Sequence, residues 1–135
     1  MSKPRPVPGS LETLPAQTVR WLGGLDLEEM RIWAQQAQHC FVLVECSAYV
    51  NKKALLKAIG QALAFPDWYG ANLDALYDCL TDLTERNEKG WLIVLEHLPN
   101  EPRFDAEQRA ALLEVFRDAV DEFAVRGTPF RVFYS

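Results

Sequence analysis

The chain has 135 residues, of which 49% are apolar and 24% charged, and its formal net charge is −5. This balance fits one globular domain with a short appendage, and the negative charge argues against nucleic acid as the main partner, because phosphate binding needs a basic surface. No apolar run approaches the ~18 residues of a membrane span, and the Pro-rich start lacks the apolar core of a secretory signal, so we expect a cytoplasmic protein with no membrane partner.

The first forty residues predict an arm followed by a small extension. Four prolines within residues 1–17 indicate a loose, extended arm. Residues 18–22 alternate weakly between polar and apolar side chains, which predicts a short edge strand. A capping signal at Asp26 marks the start of a helix. We expect this strand and helix, residues 18–40, to pack on a domain formed by residues 41–135.

Apolar strands and amphipathic helices alternate through that domain. Strands are predicted at 41–44, 91–95 and 130–134, and helices after the capping residues Asn51, Asn72 and Asp105. The 91–95 run is continuously apolar, the pattern of a strand covered on both faces. The alternation predicts an α/β fold with a small three-stranded parallel sheet packed with helices. Residues 18–22 would add a fourth, short edge strand.

The second helix of the domain carries a row of carboxylates. Asp74, Asp78 and Asp82 recur every four residues, which places them along one stripe, and no Lys or Arg occurs between Ala58 and Glu85. Like charges at this spacing weaken a helix by roughly 0.2–0.5 kcal/mol per pair, so helix stability gives no reason for the stripe. The stripe fits a surface that meets a basic partner, although the charges alone favour a solvated acidic face.

Aromatic residues stand next to this stripe. Trp68 and Tyr69 lie in the loop before the helix, and Tyr77 lies beside the carboxylates. The loop position of Trp68 and Tyr69 fits partner contact and core packing equally well. Cys79 shares a helix face with apolar residues and is predicted to be a core thiol.

No motif of a familiar active site occurs in the sequence. The phosphate loop, the dinucleotide fingerprint, the nucleophile elbow and the zinc motif HExxH are missing, and His39 and His97 have no metal-type spacing. The three cysteines form no CxxC pair and are predicted to be reduced. Adjacency of Asp74 and Asp78 along a helix predicts mutual repulsion more readily than a paired acid and base, so we predict no enzyme activity, no cofactor and no metal site.

The segment PDWYGANLDALYDCLTDL, residues 66–83, closely resembles the signature of the barstar family, the intracellular inhibitors of small secreted ribonucleases. Similarity in the order of elements extends over residues 41–134. The resemblance implies a three-stranded parallel sheet surrounded by helices. It also implies an inhibitory face on the acidic helix and on the loop before it.

The resemblance assigns roles to individual residues of that face. Asp78 matches the carboxylate that enters the nuclease active site at a phosphate position, and Asp74 matches a second carboxylate that pairs with nuclease Arg and Lys groups. Trp68 and Tyr69 match an aromatic pair of which the first contacts the nuclease. Further contact or supporting positions are matched by Asn72, Leu73, Tyr77 and Thr81.

Other positions lie at the edge of the implied face. Asp118 on the long helix matches an acidic residue that adds a peripheral ion pair, and Glu122 matches a second acidic position less closely. Asp82 and Leu83 depart from the family pattern, which predicts an altered rim. We include Asp82 among the partner-binding residues because it continues the acidic stripe.

The leading functional hypothesis is a cytoplasmic inhibitor, or immunity protein, of a basic secreted-type ribonuclease, with no nucleic-acid partner and a monomeric free state. Its acidic helix would mimic RNA phosphates. The alternative is an interaction module on the same fold that neutralises a different basic partner, such as a DNase-type or other toxin. A small enzyme that uses Asp74 and Asp78 is the third hypothesis, and it requires a concave pocket around them.

Overall fold

The structure is a computed structural model that describes residues 9–135. Within these residues, four α-helices accompany one sheet of four strands. In chain order the elements are a 3-10 turn at Leu11–Thr13, β1 (Gln17–Trp21), α1 (Leu27–Ala37), β2 (Cys40–Glu45), α2 (Lys52–Ala62), α3 (Leu73–Asp82), a second 3-10 turn at Leu83–Glu85, β3 (Trp91–Glu96), α4 (Ala106–Arg126) and β4 (Phe130–Tyr134).

The sheet has the strand order β1-β4-β3-β2, and every neighbouring pair is parallel. Val132 in β4 lies opposite Val19 on one side and Ile93 on the other, which fixes the register of three strands. The predicted α/β fold is confirmed, and the N-terminal strand is the fourth, edge strand. It begins at Gln17, one residue earlier than the pattern indicated.

Helices cover the sheet on both faces. On one face, residues of β3 and β4 such as Ile93 and Val132 belong to the main core that α2, α3 and α4 complete. On the other face, Met30 and Trp33 of α1 join a second core with Val94 of β3. This arrangement explains why the β3 sequence is apolar at successive positions instead of alternating.

The part of the predicted arm that the structure describes is packed instead of loose. Leu11 is 3% exposed and belongs to the second core. The buried guanidinium of Arg131 donates a hydrogen bond of 3.2 Å to the Leu11 carbonyl oxygen and approaches that of Leu14 at 3.5 Å. Proline content alone does not reveal these contacts, since they involve residues more than 100 positions apart. Residues 1–8 lie outside the described residues.

The predicted helix starts are confirmed. The side chains of Asp26, Asn51 and Asp105 each accept a hydrogen bond from a backbone N–H in the first turn of α1, α2 and α4. Gly127 ends α4 in the left-handed conformation, with φ of 71°. No helix among residues 9–135 is both long and apolar enough to cross a membrane. The three cysteines are free thiols, and Cys79 is 1% exposed, which confirms its place in the core.

Candidate functional site

The acidic helix α3 has one buried side and one exposed side. Asn72 caps it, because its side-chain oxygen accepts a 2.8 Å hydrogen bond from the Ala75 N–H. The residues that turn into the core are Leu76, Cys79 and Leu80. The carboxylates turn outward, and all three are exposed: Asp74, Asp78 and Asp82. Core packing therefore determines which side of α3 presents its charges.

A groove of about 630 Å³ runs between α3 and α4. We call it the acidic groove, and its lining residues are Leu73, Asp74, Tyr77, Asp78, Val115, Asp118, Asp121 and Glu122. Five of these eight residues are carboxylates, and none is Lys, Arg or His. Arg117, next in sequence to Asp118, lies 3.7 Å from Glu114 instead. Packing against α4 thus makes the surface at Asp74 and Asp78 concave, the shape that the enzyme hypothesis requires. Five carboxylates that repel one another suit a cationic ligand better than a paired acid and base.

The pKa of Tyr77 shows that carboxylates of both helices lie near the same side chain. The pKa of its hydroxyl is raised, first by burial and then by the negative charges of Glu122, Asp118, Asp121 and Asp78. Three of these four charges come from α4. The acidic groove therefore concentrates negative potential from two helices, which is the pattern of a site for positively charged groups.

The two aromatic residues before α3 differ in their surroundings. Trp68 is 61% exposed. The Tyr69 hydroxyl donates a 2.9 Å hydrogen bond to the Leu56 carbonyl oxygen in α2, and its ring meets Phe65 edge-on with 4.9 Å between centroids. Burial raises the pKa of Tyr69. Within the loop of residues 64–71, which we call the Trp68 loop, Trp68 is therefore available to a partner and Tyr69 is mainly a packing residue.

The remaining predicted residues divide into groove and rim. Leu73 is partly buried and lines the acidic groove, while Asn72 is exposed at the cap. Thr81 and Asp82 lie at the end of α3, outside the groove lining; the Thr81 hydroxyl donates to the Asp78 carbonyl oxygen at 3.0 Å. Leu83 is 1% exposed and offers no contact surface of its own, and the altered rim at Asp82 and Leu83 stays a prediction.

Two residues of the acidic groove were missed by the sequence reasoning. Asp121 and Val115 join Asp118 and Glu122 on the groove side of α4. Residues three and four positions apart share a helix face, so the spacing of Asp118, Asp121 and Glu122 was an available signal. The sequence did not show that this face of α4 lies beside α3, because that depends on how both helices pack on the sheet.

A second polar cluster lies at the carboxyl ends of β2 and β3. His97 Nδ1 is 3.0 Å from Glu45 Oε2 and 4.0 Å from Glu96 Oε1. The pKa of His97 is raised, first by its hydrogen bond with Glu45. The pKa of Glu45 is lowered to about 2, first by the hydrogen bond from Ser47. In the described part of the chain, no other group of three potential metal ligands meets as closely. Attraction between a protonated His97 and the carboxylates of Glu45 and Glu96 is sufficient to explain why these three side chains lie together.

Comparison with known proteins identifies a family and a relative of this chain. Residues 39–135 match the family model described as Barstar (barnase inhibitor). A protein of Bacillus subtilis (strain 168) named "Putative ribonuclease inhibitor YrdF" is 31% identical over 86 residues, which cover 60% of this chain and 86% of that protein. The region that the family model matches contains α3, α4 and all the residues that line the acidic groove. The N-terminal strand β1 and helix α1 precede the region matched by the family model.

Proposed function

Since the chain belongs to the barstar family, we propose that it is an intracellular immunity protein that binds a basic ribonuclease and blocks its active site. The protein acts as an inhibitor and performs no catalysis of its own. It works in the cytoplasm and is a monomer until it meets its target. The acidic groove and the exposed Trp68 form the surface that recognises the nuclease.

The observation that carries this proposal is the convergence of five carboxylates on the acidic groove, with no basic side chain of residues 9–135 in its lining. A ribonuclease active site holds the phosphates of RNA and is therefore rich in positively charged side chains. The Asp78 carboxylate faces the α4 carboxylates across the groove and occupies the place of a phosphate. Asp74 supplies a second negative charge one turn earlier on α3, and Asp118 supplies one from α4.

Trp68 contributes a different kind of contact. Surfaces that bind single-stranded nucleic acid combine positive charge with side chains on which bases stack. An exposed indole next to a row of carboxylates presents both features of a nucleotide, a flat ring and negative charge. Trp68 therefore covers the base-binding part of the nuclease, while Asp78 occupies the phosphate-binding part.

Competition with RNA tests the proposal. We expect the protein to inhibit a small basic ribonuclease with one-to-one stoichiometry. The apparent inhibition constant should rise linearly with the concentration of a fluorogenic RNA substrate, as the true constant multiplied by one plus the ratio of substrate concentration to KM. The control is a basic protein without nuclease activity, which should bind weakly or not at all. Inhibition that is independent of RNA concentration would contradict active-site blockade. Tight binding to a basic DNase and none to ribonucleases would favour the alternative function.

A further inference from the structure

The Trp68 loop has a backbone that its own sequence does not favour. Ala64 and Ala71 adopt φ values of 53° and 52° at the two ends of the loop. At Ala64 the end of α2 explains this conformation, because the Ala64 and Phe65 N–H groups donate to the Gln61 and Gly60 carbonyl oxygens, the pattern that ends many helices. Ala71 does not follow a helix, and a left-handed backbone is sterically unfavourable for a residue with a Cβ. Contacts that fix the loop against the rest of the fold help to stabilise this conformation.

Tyr69 supplies the contact. Its hydroxyl donates to the Leu56 carbonyl oxygen at 2.9 Å, and its backbone N–H donates to the Pro66 carbonyl oxygen at 2.9 Å. Leu56 lies inside α2, where a carbonyl oxygen has a second lone pair free for a side-chain donor. The hydroxyl therefore ties the ring to α2, while the backbone hydrogen bond closes a turn within the loop itself.

Gly60 makes this approach of the ring to α2 sterically possible. A Cβ at Gly60 would lie 2.5 Å from Tyr69 Cε2 and 2.6 Å from Cδ2, closer than real Cβ atoms approach. Gly60 is buried within α2. Glycine is unfavourable within a helix relative to alanine, so the helix loses stability at this position to admit the ring.

We propose that Gly60 and Tyr69 are positioning residues that hold the Trp68 loop against α2, so that the exposed Trp68 side chain is oriented for the partner before binding. This inference rests on the proposed function. Tyr69 and Trp68 are adjacent in the chain, and a Tyr69 ring fixed on α2 restricts the directions open to Trp68. A side chain that is oriented in advance loses less conformational entropy when the complex forms.

A double-mutant cycle separates positioning from direct contact. The dissociation constant for the ribonuclease is measured for the parent, Tyr69→Phe, Trp68→Ala and the double variant. Tyr69→Phe removes only the hydroxyl, and we expect it to weaken binding about three- to ten-fold when Trp68 is present. In the Trp68→Ala background the same change should have less than about a two-fold effect. Equal losses in both backgrounds would overturn the proposal.

The free protein provides a second readout that needs no partner. In protein labelled with 5-fluorotryptophan, the ¹⁹F resonance of Trp68 is assigned by its loss in Trp68→Phe. Tyr69→Phe should narrow and shift that resonance and leave those of the buried Trp33 and Trp91 unchanged. A Trp68 resonance identical to that of the parent would show that the hydroxyl does not hold the loop.

The role of Gly60 is tested through the difference between two stability changes. Gly60→Ala should lower the melting temperature when Tyr69 is present, because the added methyl group collides with the ring. In a Tyr69→Ala background the loss should be much smaller, since the ring is gone and alanine favours the helix, although the methyl group still lies 3.3 Å from Phe65 Cδ2. Equal losses in both backgrounds would show that Gly60 is unrelated to Tyr69.

Asp78→Ala distinguishes failure of this inference from failure of the proposed function. If Asp78→Ala weakens ribonuclease binding and Tyr69→Phe does not, the positioning role is wrong and the function stands. If the parent does not bind the ribonuclease, the proposed function is wrong, and the fluorine spectrum together with the Gly60 variants still decides whether the loop is held.

Discussion

At the end of β2, the Glu45 carboxylate accepts hydrogen bonds from the Ser47 backbone N–H and hydroxyl and lies 3.0 Å from His97. The carboxylates of the acidic groove, in contrast, have no basic residue among the side chains that line it. The fold thus satisfies its negative charges at one place and accumulates them at another. The hydrogen bonds and ion pair of Glu45 stabilise the fold. The carboxylates of the acidic groove repel one another and so lower the stability of the fold.

The basic residue that follows the acidic helix reinforces this contrast. Arg86 Nη1 donates to the Leu63 carbonyl oxygen at 2.5 Å and Nη2 donates to that of Ala64 at 2.8 Å, at the carboxyl end of α2. Its charge serves the fold as a helix cap. We infer that the groove is left without such a residue because its cationic partner belongs to another protein.

Among single substitutions, truncation of Asp78 should have the largest effect, and on binding only. Truncation of a central charge that is desolvated in a complex typically costs about 2–5 kcal/mol or more of binding free energy. We therefore expect Asp78→Ala to weaken ribonuclease binding at least about thirty-fold. Removal of one charge from the groove should leave the melting temperature unchanged or slightly higher. Calorimetric titration and thermal unfolding measure both quantities. Asp82→Ala, outside the groove, is the matched control and should weaken binding far less.

Ionic strength should change the association rate by the next largest amount. Charge complementarity accelerates encounter by about ten- to a thousand-fold, and salt screens it. Stopped-flow mixing at low and at physiological ionic strength should show association slowing at least about ten-fold, with a much smaller change in dissociation. An association rate that ignores salt would remove the acidic groove from the encounter step.

Substitution of Arg86 should affect stability while leaving binding nearly intact. Loss of its two hydrogen bonds should lower the free energy of unfolding by about 1–2 kcal/mol in Arg86→Gln, a figure reduced because the guanidinium is partly exposed. Chemical denaturation measures the loss. Arg103→Gln removes the same charge from a side chain that makes no hydrogen bond or ion pair with the described residues, and it should change stability little. If Arg86→Gln weakened binding as much as Asp78→Ala, the proposed division between the fold and the site would be wrong.

The smallest effect is expected at the cluster of Glu45 and His97. The pKa of His97 is raised in the folded state, so its contribution to stability is present below about pH 6.5 and disappears as the pH rises through the folded value. The pKa of Glu45 is lowered to about 2, so its contribution is present above about pH 4.5 and disappears as the pH falls toward 2. Both contribute between these limits.

The melting temperature of the parent and of His97→Ala, measured from about pH 4.5 to above pH 8, tests the contribution of the Glu45–His97 pair to stability. His97→Ala should lower it by about a degree or less near pH 5.5, because both side chains are largely exposed, and should have less effect above pH 8. Ribonuclease binding at a fixed pH should not change. A loss of binding in His97→Ala would place the cluster within the interface and contradict the separation between the two acidic regions.

Much of the fold could be predicted from local chemistry. Caps such as Asn72 and Asp105 act within one helical turn, and the apolar run of β3 reports burial directly. The outward direction of Asp78 also follows from its spacing relative to Leu76 and Leu80. Each of these features depends on residues a few positions apart, which a single sequence displays.

The unpredicted features depend on contacts between distant parts of the chain. Trp68 and Tyr69 are adjacent aromatic residues that the sequence alone does not distinguish. The hydrogen bond from the Tyr69 hydroxyl to the α2 backbone is what makes Tyr69 the packed residue of the two. Asp121 enters the groove because α4 packs beside α3. Leu11 is buried because its side chain belongs to the same core as residues of α1 and its carbonyl oxygen accepts a hydrogen bond from Arg131.

The most direct test of the central claim compares two triple variants that each remove three negative charges. One neutralises the groove, as Asp74→Asn/Asp78→Asn/Asp118→Asn. The other neutralises carboxylates that have partners within the fold, as Glu28→Gln/Glu45→Gln/Glu114→Gln. The measurement is the dissociation constant for the ribonuclease. We predict at least a thousand-fold loss for the groove variant and less than about a ten-fold loss for the other. Equal losses would show that net charge, and not the groove, determines recognition.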